Sequence, residues 1–410
     1  VDLTAKAQKM KKPEKIPQTV WLLGFVSMFM DISSEMIHSL LPIFLISVLN
    51  SNALTVGLIE GVAEAVALIS KTFSGALSDW LGKRKVLVFS GYALGTLTKP
   101  LFALSTGVNL VFAARFLDRI GKGVRGAPRD AMIADITPDN FRGAAYGLRQ
   151  SLDTVGAFLG PLLAMLLMIG TTGNFRAVFW FAVIPGLLSV AIIVFAVKEP
   201  PHLASRSKQQ PINWSDINKL SGTYWMVVGV GSIFTLARFS EAFLLLRAES
   251  VGMTASMIPL ILIVMNVFYS MTAYPAGRLS DRLGRTGLMI AGLMALIASD
   301  LTFSFAKTGL HVATGTALWG LHMGLTQGLL AAMVADTASQ NLRGTAFGIF
   351  SMACGFSMLV ACLIAGWLWD LFGPASTFLA GAVFTAMALM GYLATRKHLT
   401  FTAPNSLNIC

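Results

Sequence analysis

Gly75-Ala-Leu-Ser-Asp79-Trp-Leu-Gly82-Lys83 returns, 202 residues later, as Gly277-Arg-Leu-Ser-Asp281-Arg-Leu-Gly284-Arg285. A second set, Ala134-Asp135, Arg142-Gly143 and Gly147, returns as Ala335-Asp336, Arg343-Gly344 and Gly348 at an offset of 201. Two separate motifs sharing nearly one offset are hard to obtain by chance, so the chain reads as two homologous halves. The sequence around each copy is apolar. Hydrophobic residues make up 55% of the 410 and charged residues 12%, with a mean hydropathy of +0.69. Soluble domains carry about 25% charge. Such a composition excludes a disordered chain, a coiled coil and a disulfide scaffold.

Roughly 20 apolar residues cross a bilayer. Stretches of that kind, bounded by Gly, Pro, Asn or charge clusters, run 19–49, 53–78, 86–106, 109–129, 144–169 and 176–197. A second set runs 222–247, 254–277, 286–306, 310–334, 345–369 and 374–395. The expectation is an all-α polytopic membrane protein, with twelve transmembrane helices in two pseudo-symmetric six-helix bundles. Residues 1–18 would be an N-terminal tail, 19–198 the first bundle, 199–221 a linker, 222–395 the second bundle and 396–410 a C-terminal tail. The run after residue 18 is too long for the apolar part of a signal peptide and reads as the first span. Nineteen Lys and Arg then fall on one side of the membrane, and Arg176, Arg247 and Lys307 on the other. The positive-inside rule places both tails and the linker in the cytoplasm. The expected location is a plasma membrane, in particular a bacterial inner membrane. The net charge of +11 sits in these loops rather than on a basic soluble face, so nucleic acid is not an expected partner. Cys354, Cys362 and Cys410 form no CxxC pair and read as small apolar residues.

Charges inside the spans carry the chemistry. An ion near the bilayer centre costs about 2.5–3.5 kcal/mol on insertion scales, so it normally faces a cavity or a partner. Asp31, Glu35 and His38 share one face of the first helix, and Glu60, Glu64 and Lys71 share one face of the second. Two carboxylates a turn apart in low dielectric cannot both ionise cheaply, an arrangement suited to proton coupling. Asp31 and Glu35 are the favoured proton site, with Arg119 as charge partner and Glu60 and Glu64 in the same set. The competing reading is a static network with Arg115, Arg119, Lys71 or Arg149. Candidate solute contacts are His38, Arg149, Asp153, Arg238, Glu241 and Asn266, the last aligned across the repeat with Glu64. Arg149 with Asp153, and Arg238 with Glu241, read first as intrahelical pairs. Buried acids with aromatics such as Phe29, Tyr269 and Trp319 suit an amphipathic cation. Asp31, Glu35 and His38, with Met30 and Met36, also supply ligands for a transition metal or a metal chelate, which is the alternative cargo.

Gly121-Lys-Gly123-Val-Arg-Gly126 matches a dinucleotide fingerprint in letters alone. It follows an apolar helix rather than a strand. With no HExxH, GxSxG or Walker sequence, neither a cofactor nor an enzyme activity is expected.

The segment GALSDWLGKRK at 75–85 resembles the loop signature of the major facilitator superfamily, and the second half carries a degenerate copy. Arg119 with Gly123 resembles the superfamily's fourth-helix arginine motif. Gly147, Gly156 and Gly160-Pro161 resemble the fifth-helix G(x)8G(x)3GP signature of proton-coupled antiporters, with Ala164 in place of the closing glycine. The aligned second-half positions, Ser357, Ala361 and Cys362, lack it. The resemblance implies a monomeric transporter working by alternating access, exporting a small molecule in exchange for protons across the lipid bilayer. It also implies a gating set of Gly75, Asp79, Lys83 and Arg84, with Asp281 in the copy, latching the cytoplasmic face. Gly75 permits close helix approach. Asp79 is expected to accept hydrogen bonds from a neighbouring helix N-terminus, favoured by the helix dipole. Gly156, Gly160 and Pro161 are expected where the fifth helix meets its neighbour in the other half.

Overall fold

A backbone crossing hydrocarbon must satisfy its own N–H and C=O groups, and apolar runs of this length do so as helices. The computed structural model describes residues 16–395 apart from 200–216, 218, 284, 327, 340 and 341. In chain order the spanning helices are α1 (Gln18–Val48), α2 (Ala53–Leu81), α3 (Arg84–Leu104), α4 (Val108–Ile136), α5 (Arg142–Gly170) and α6 (Phe175–Phe195). The second half contributes α7 (Gly222–Ser250), α8 (Leu260–Leu283), α9 (Arg285–Ser304), α10 (Gly309–Thr337), α11 (Arg343–Phe372) and α12 (Pro374–Thr395). The tails and most of the linker lie outside the described residues.

Eleven of these helices are long and apolar enough to cross a membrane. The exception is α4. Its 29 residues suffice in length, but they carry Arg115, Asp118, Arg119, Lys122, Arg125, Arg129 and Asp130. A helix of that composition cannot face lipid, and it does not have to. It packs against α2 and α3, with Arg115, Asp118, Arg119 and Arg125 all buried. It also runs to Ile136, seven residues beyond the expected end at 129, because its last turns continue past the apolar stretch.

Helices α1, α7 and α10 depart from the expected rods, and α6 divides at Ala182 into Phe175–Phe181 and Val183–Phe195. In α1 a break after His38 leads into a short turn, Leu41–Ile43, and a π-turn, Phe44–Val48. In α10, Gly328 takes a left-handed φ of +75°, which only glycine adopts cheaply, and divides Gly309–Thr326 from Leu329–Thr337. In α7 the expected continuous helix separates into Gly222–Ala237 and Ala242–Ser250, with Arg238 at φ −114° and ψ 73°. There the Ser240 hydroxyl accepts from the Ala242 N–H at 3.2 Å, offering the backbone a cap in place of a helical bond. Arg238 and Glu241 therefore flank a break and are not the i, i+3 helical pair the sequence suggests.

Helices α1–α6 pack among themselves, as do α7–α12, and the halves meet where α2 lies on α11 and α5 on α8. Small residues let the first pair approach closely. Gly57 lies against the Cys362 carbonyl, and a Cβ on Gly366 would stand 2.6 Å from the Ala53 carbonyl. Gly61 faces Leu359 and Cys362, and Gly355 faces Ala65. At the end of this seam the Asp370 carboxylate accepts from the Ala53 and Leu54 N–H groups at 3.0 and 2.9 Å, capping α2 from the other half. Gly57, Gly61, Ala65, Ile69 and Phe73 follow one another at i+4 along α2. The first three bury against α11, whereas Ile69 and Phe73 join Leu77, Trp80 and Val124 around an open apolar groove. The seam is closed at the Ala53 end and parted at the Leu81 end.

The fifth-helix glycines sit elsewhere than expected. A Cβ on Gly156 would stand 2.7 Å from the Met28 carbonyl, and one on Gly160 would stand 2.6 Å from the Glu35 Cβ. Both, with buried Pro161 beside them, seat α5 against α1 of the same half. The contact of α5 with the other half is made from Ala157, whose carbonyl accepts from the Asn266 side chain at 3.3 Å.

Candidate functional site

The close approach of α1 to α5 and of α4 to α2 and α3 turns the charged faces of these helices toward one space. Gly121 rests on Gly91 and Gly123 on Ser70 and Ala67, so the supposed nucleotide fingerprint is a helix-packing surface. The space is a cavity of about 300 Å³. Its wall carries Asp31 and Glu35 from α1, Lys71 from α2, Lys122, Arg125 and Arg129 from α4, and Asp153 from α5. Asn266 and Tyr269 of α8 close it from the other half.

Behind the wall the ions are paired. Glu60 and Arg115, both almost fully buried, meet at 2.7 Å. His38 links this pair to the cavity, with Nδ1 3.2 Å from Glu35 and Nε2 3.9 Å from Glu60. Lys99 donates to Asp118 at 2.8 Å and to the Ser34 hydroxyl at 3.0 Å. Arg119 lies 3.5 Å from Glu64. Arg149 donates to Asp153 at 2.8 Å and approaches Asp130 at 3.7 Å, so the α5 pair forms as its spacing suggests. Arg129 donates to Ser27 and to Tyr92, and Arg125 stacks over the Tyr92 ring at 4.7 Å. Charge-assisted bonds of this kind offset much of the cost of holding ions at membrane depth.

Several sequence expectations change in this setting. The charge partner expected for Asp31 and Glu35, Arg119, is engaged by Glu64 instead, because Glu64 stands on α2 directly against α4. Glu35 takes His38, and Asp31 has no ion-pair partner among the described residues. His38 is buried behind Glu35 and is not on the cavity wall, so it belongs with the acids and not with the solute contacts. Its two ring nitrogens face Glu35 and Glu60. Among the described residues, no group of three His, Cys, Asp or Glu side chains is arranged to hold a metal, and the metal alternative gains no support.

The loop motif also differs in detail. A Cβ on Gly75 would touch the Ala127 Cβ at 3.4 Å, the close approach expected of it. Among the described residues Asp79 reaches no helix N-terminus. It meets Arg84 at 3.3 Å, and Arg84 in turn meets Asp135 at 2.7 Å. The N–H groups of Arg84 and Lys85 that open α3 donate to Glu199 at 2.8 and 2.9 Å, so the end of α6 supplies that cap. Lys83 is the residue preceding α3. The side chain of Asp281 lies outside the described residues.

Sequence reasoning passed over Lys99, Asp118, Lys122, Arg125, Arg129 and Asp130. A signal was present. Residues 115, 118, 119, 122, 125 and 129 recur at intervals of three and four, the spacing of one helix face.

Comparison with known proteins agrees with this architecture. The sequence profile of the Major Facilitator Superfamily matches residues 23–247 and 226–405. An uncharacterised MFS-type transporter of Methanocaldococcus jannaschii is 34% identical over 380 residues, covering 91% of this chain and 94% of the relative. The class H tetracycline resistance protein of Pasteurella multocida is 24% identical over 413 residues, covering 93% and 97%. Among solved structures, a peptide transporter of the POT type superposes with a TM-score of 0.76 at 13% identity, covering 93% of this chain and 95% of that one. A twelve-helix fold in two halves, a polar cavity between them and these matches have one reading: the chain is a membrane transporter, not an enzyme, and belongs to the Major Facilitator Superfamily.

Proposed function

We propose that the chain is a proton-coupled secondary transporter that moves a small solute through the cavity between its halves by alternating access. The observation that carries this reading is the Glu35–His38–Glu60 chain. A carboxylate on the cavity wall is joined through one imidazole to a buried ion pair, at 3.2 and 3.9 Å. A proton taken up by Glu35 or His38 changes the charge held against Arg115, and is thereby felt where α1, α2 and α4 meet. Asp31, one turn away and free of an ion pair among the described residues, is a second acceptor on the same wall.

The seam between α2 and α11 supports the alternating step. Its Ile69–Phe73 end offers an apolar surface on which α11 can close while Asp370 releases the start of α2. The two arrangements then form the bistable element that solute and proton bias. With the parted end read as cytoplasmic from the loop charges, and the membrane taken as a plasma membrane, this conformation faces inward. Export in exchange for protons is the direction favoured by the fifth-helix glycines and by the drug-resistance relatives.

The test uses the full chain in proteoliposomes with an internal pH dye. Glu35→Gln should fold and insert, yet lose proton movement linked to solute. Uphill transport retained in this variant would move the proton site off Glu35.

A further inference from the structure

The cavity wall does not balance its charge. Lys71, Lys122, Arg125 and Arg129 stand against Asp31, Glu35 and Asp153. One of the acids, Asp153, is already paired with Arg149 at 2.8 Å, and Glu35 meets His38 at 3.2 Å; neither partner is on the wall. Arg129 is held by Asp130 at 3.2 Å and by Ser27 and Tyr92. What remains is three cations, Lys71, Lys122 and Arg125, facing two carboxylates, Asp31 and Glu35. None of the three cations forms an ion pair among the described residues. Arg125 is 4% exposed, and its Nη1 has no hydrogen-bond partner.

Three cations gathered at membrane depth are costly unless something negative offsets them. Asp31 and Glu35 are too few even when both are charged. An amphipathic cation, the class suited to buried acids when the sequence is read alone, would add a further positive charge to this excess. From that imbalance, and on the reading that the cavity is the transport site, we propose that the solute is a small organic anion. Its carboxylate or phosphate group sits among Lys71, Lys122 and Arg125, and its uncharged part meets Asn266 and Tyr269 of the other half. A guanidinium offers a planar fork to an oxyanion, and the two ammonium groups on flexible stems adapt to it. The volume of about 300 Å³ lies at the small end of ligand pockets, the scale of a metabolite and not of a lipid.

The proposal is tested by titrating the purified full-length protein with phenyl phosphate and benzoate as anionic probes and tetraphenylphosphonium as the cationic one, following binding by calorimetry and melting temperature. The anions should bind and raise the melting temperature, and the cation should not. The double variant Lys71→Gln/Lys122→Gln alters two side chains exposed to the cavity and should keep its fold. It should weaken anion binding roughly tenfold or more. Lys71→Arg/Lys122→Arg should retain it. Binding of tetraphenylphosphonium alone, failure of both anions at millimolar concentration, or unchanged anion affinity in the Gln variant would each overturn the proposal. Proton flux is a separate readout. Anions that bind and cross without moving protons would sink the coupling and leave the substrate class standing. Proton flux driven by the cation alone would do the reverse.

Discussion

Helices α4 and α10 occupy the same place in the two halves, each ending on the repeated Ala-Asp at 134–135 and 335–336, yet their interiors are built from opposite materials. The face of α4 is a ladder of ions, each needing a partner from α1, α2, α3 or α5. That of α10 presents Trp319 and His322 to an aromatic cluster, where Phe239 lies 5.7 Å from Trp319 and Phe303 stacks on Phe378 at 4.8 Å. The His322 Nδ1–H donates to the Gly292 carbonyl at 2.8 Å, and the ring packs on Phe234. This half buries ions too: Arg247 donates to the Phe303, Ser304 and Ala306 carbonyls, whereas Asp300, beside Phe239 and Gly381, has neither oxygen hydrogen-bonded among the described residues. Both helices span 29 residues, while their interiors differ. An aromatic interior needs only good packing. A charged one needs partners for its ions, and on the function proposed above the proton chemistry is gathered in one half while the other is the body against which it rocks.

The largest break in this comparison should come from Arg115→Met, which leaves Glu60 buried and uncompensated. A loss of about 3–5 kcal/mol is expected, read as a large drop in melting temperature. Removing both charges, with Glu60→Gln added, should restore much of it. If the double variant melts no higher than the single one, the pair is not what holds α2 to α4.

Gly61→Leu comes next, because a side chain there meets the Leu359 backbone and wedges α2 from α11. It should shift the population toward the state open at the Ala53 end by roughly tenfold, about 1.4 kcal/mol. Thiol labelling of a cysteine placed at Ala53 measures the change, and unaltered labelling would deny that this seam gates access. Asp370→Asn should act in the same direction but less, by about 0.5–1 kcal/mol, since a helix cap survives with its charge removed. The smallest effect on transport belongs to the second half. His322→Asn should cost about 1 kcal/mol and leave proton flux unchanged. Lost flux in that variant would show that the chemistry is shared between the halves.

How much of this was legible beforehand differs by level. Most helices stand within a few residues of where apolar runs and punctuation put them, and α12 coincides with the stretch 374–395, whereas α4 runs on to Ile136 and α8 is Leu260–Leu283 against an expected 254–277. The breaks in α7 and α10 were not visible, because Ser240 and Gly328 interrupt helices only when the surrounding packing accepts a bend there. Asp31 and Glu35 reach the cavity as their shared face suggested. The partner chosen for them, Arg119, went to Glu64, and the glycines of α5 seat α1 and not the other half, because each depends on how far a helix is rotated about its own axis.

By itself the sequence determined the number of helices, their homologous halves, the side of the membrane favoured by the loop charges and the family. These follow from local information: twenty apolar residues cross hydrocarbon whatever their neighbours do, and a repeated motif reports duplication. Only the tertiary structure decided which ion meets which. Glu60 finds Arg115 across 55 residues, and Asp370 caps Ala53 across 317. The strength of an ion pair falls off over a few ångströms, a distance set by helix rotation and tilt, and those are properties of the packed bundle. The excess of cations on the cavity wall is of the same kind. It is invisible in a net charge and plain once Asp153 and Arg129 are seen to be paired with Arg149 and Asp130.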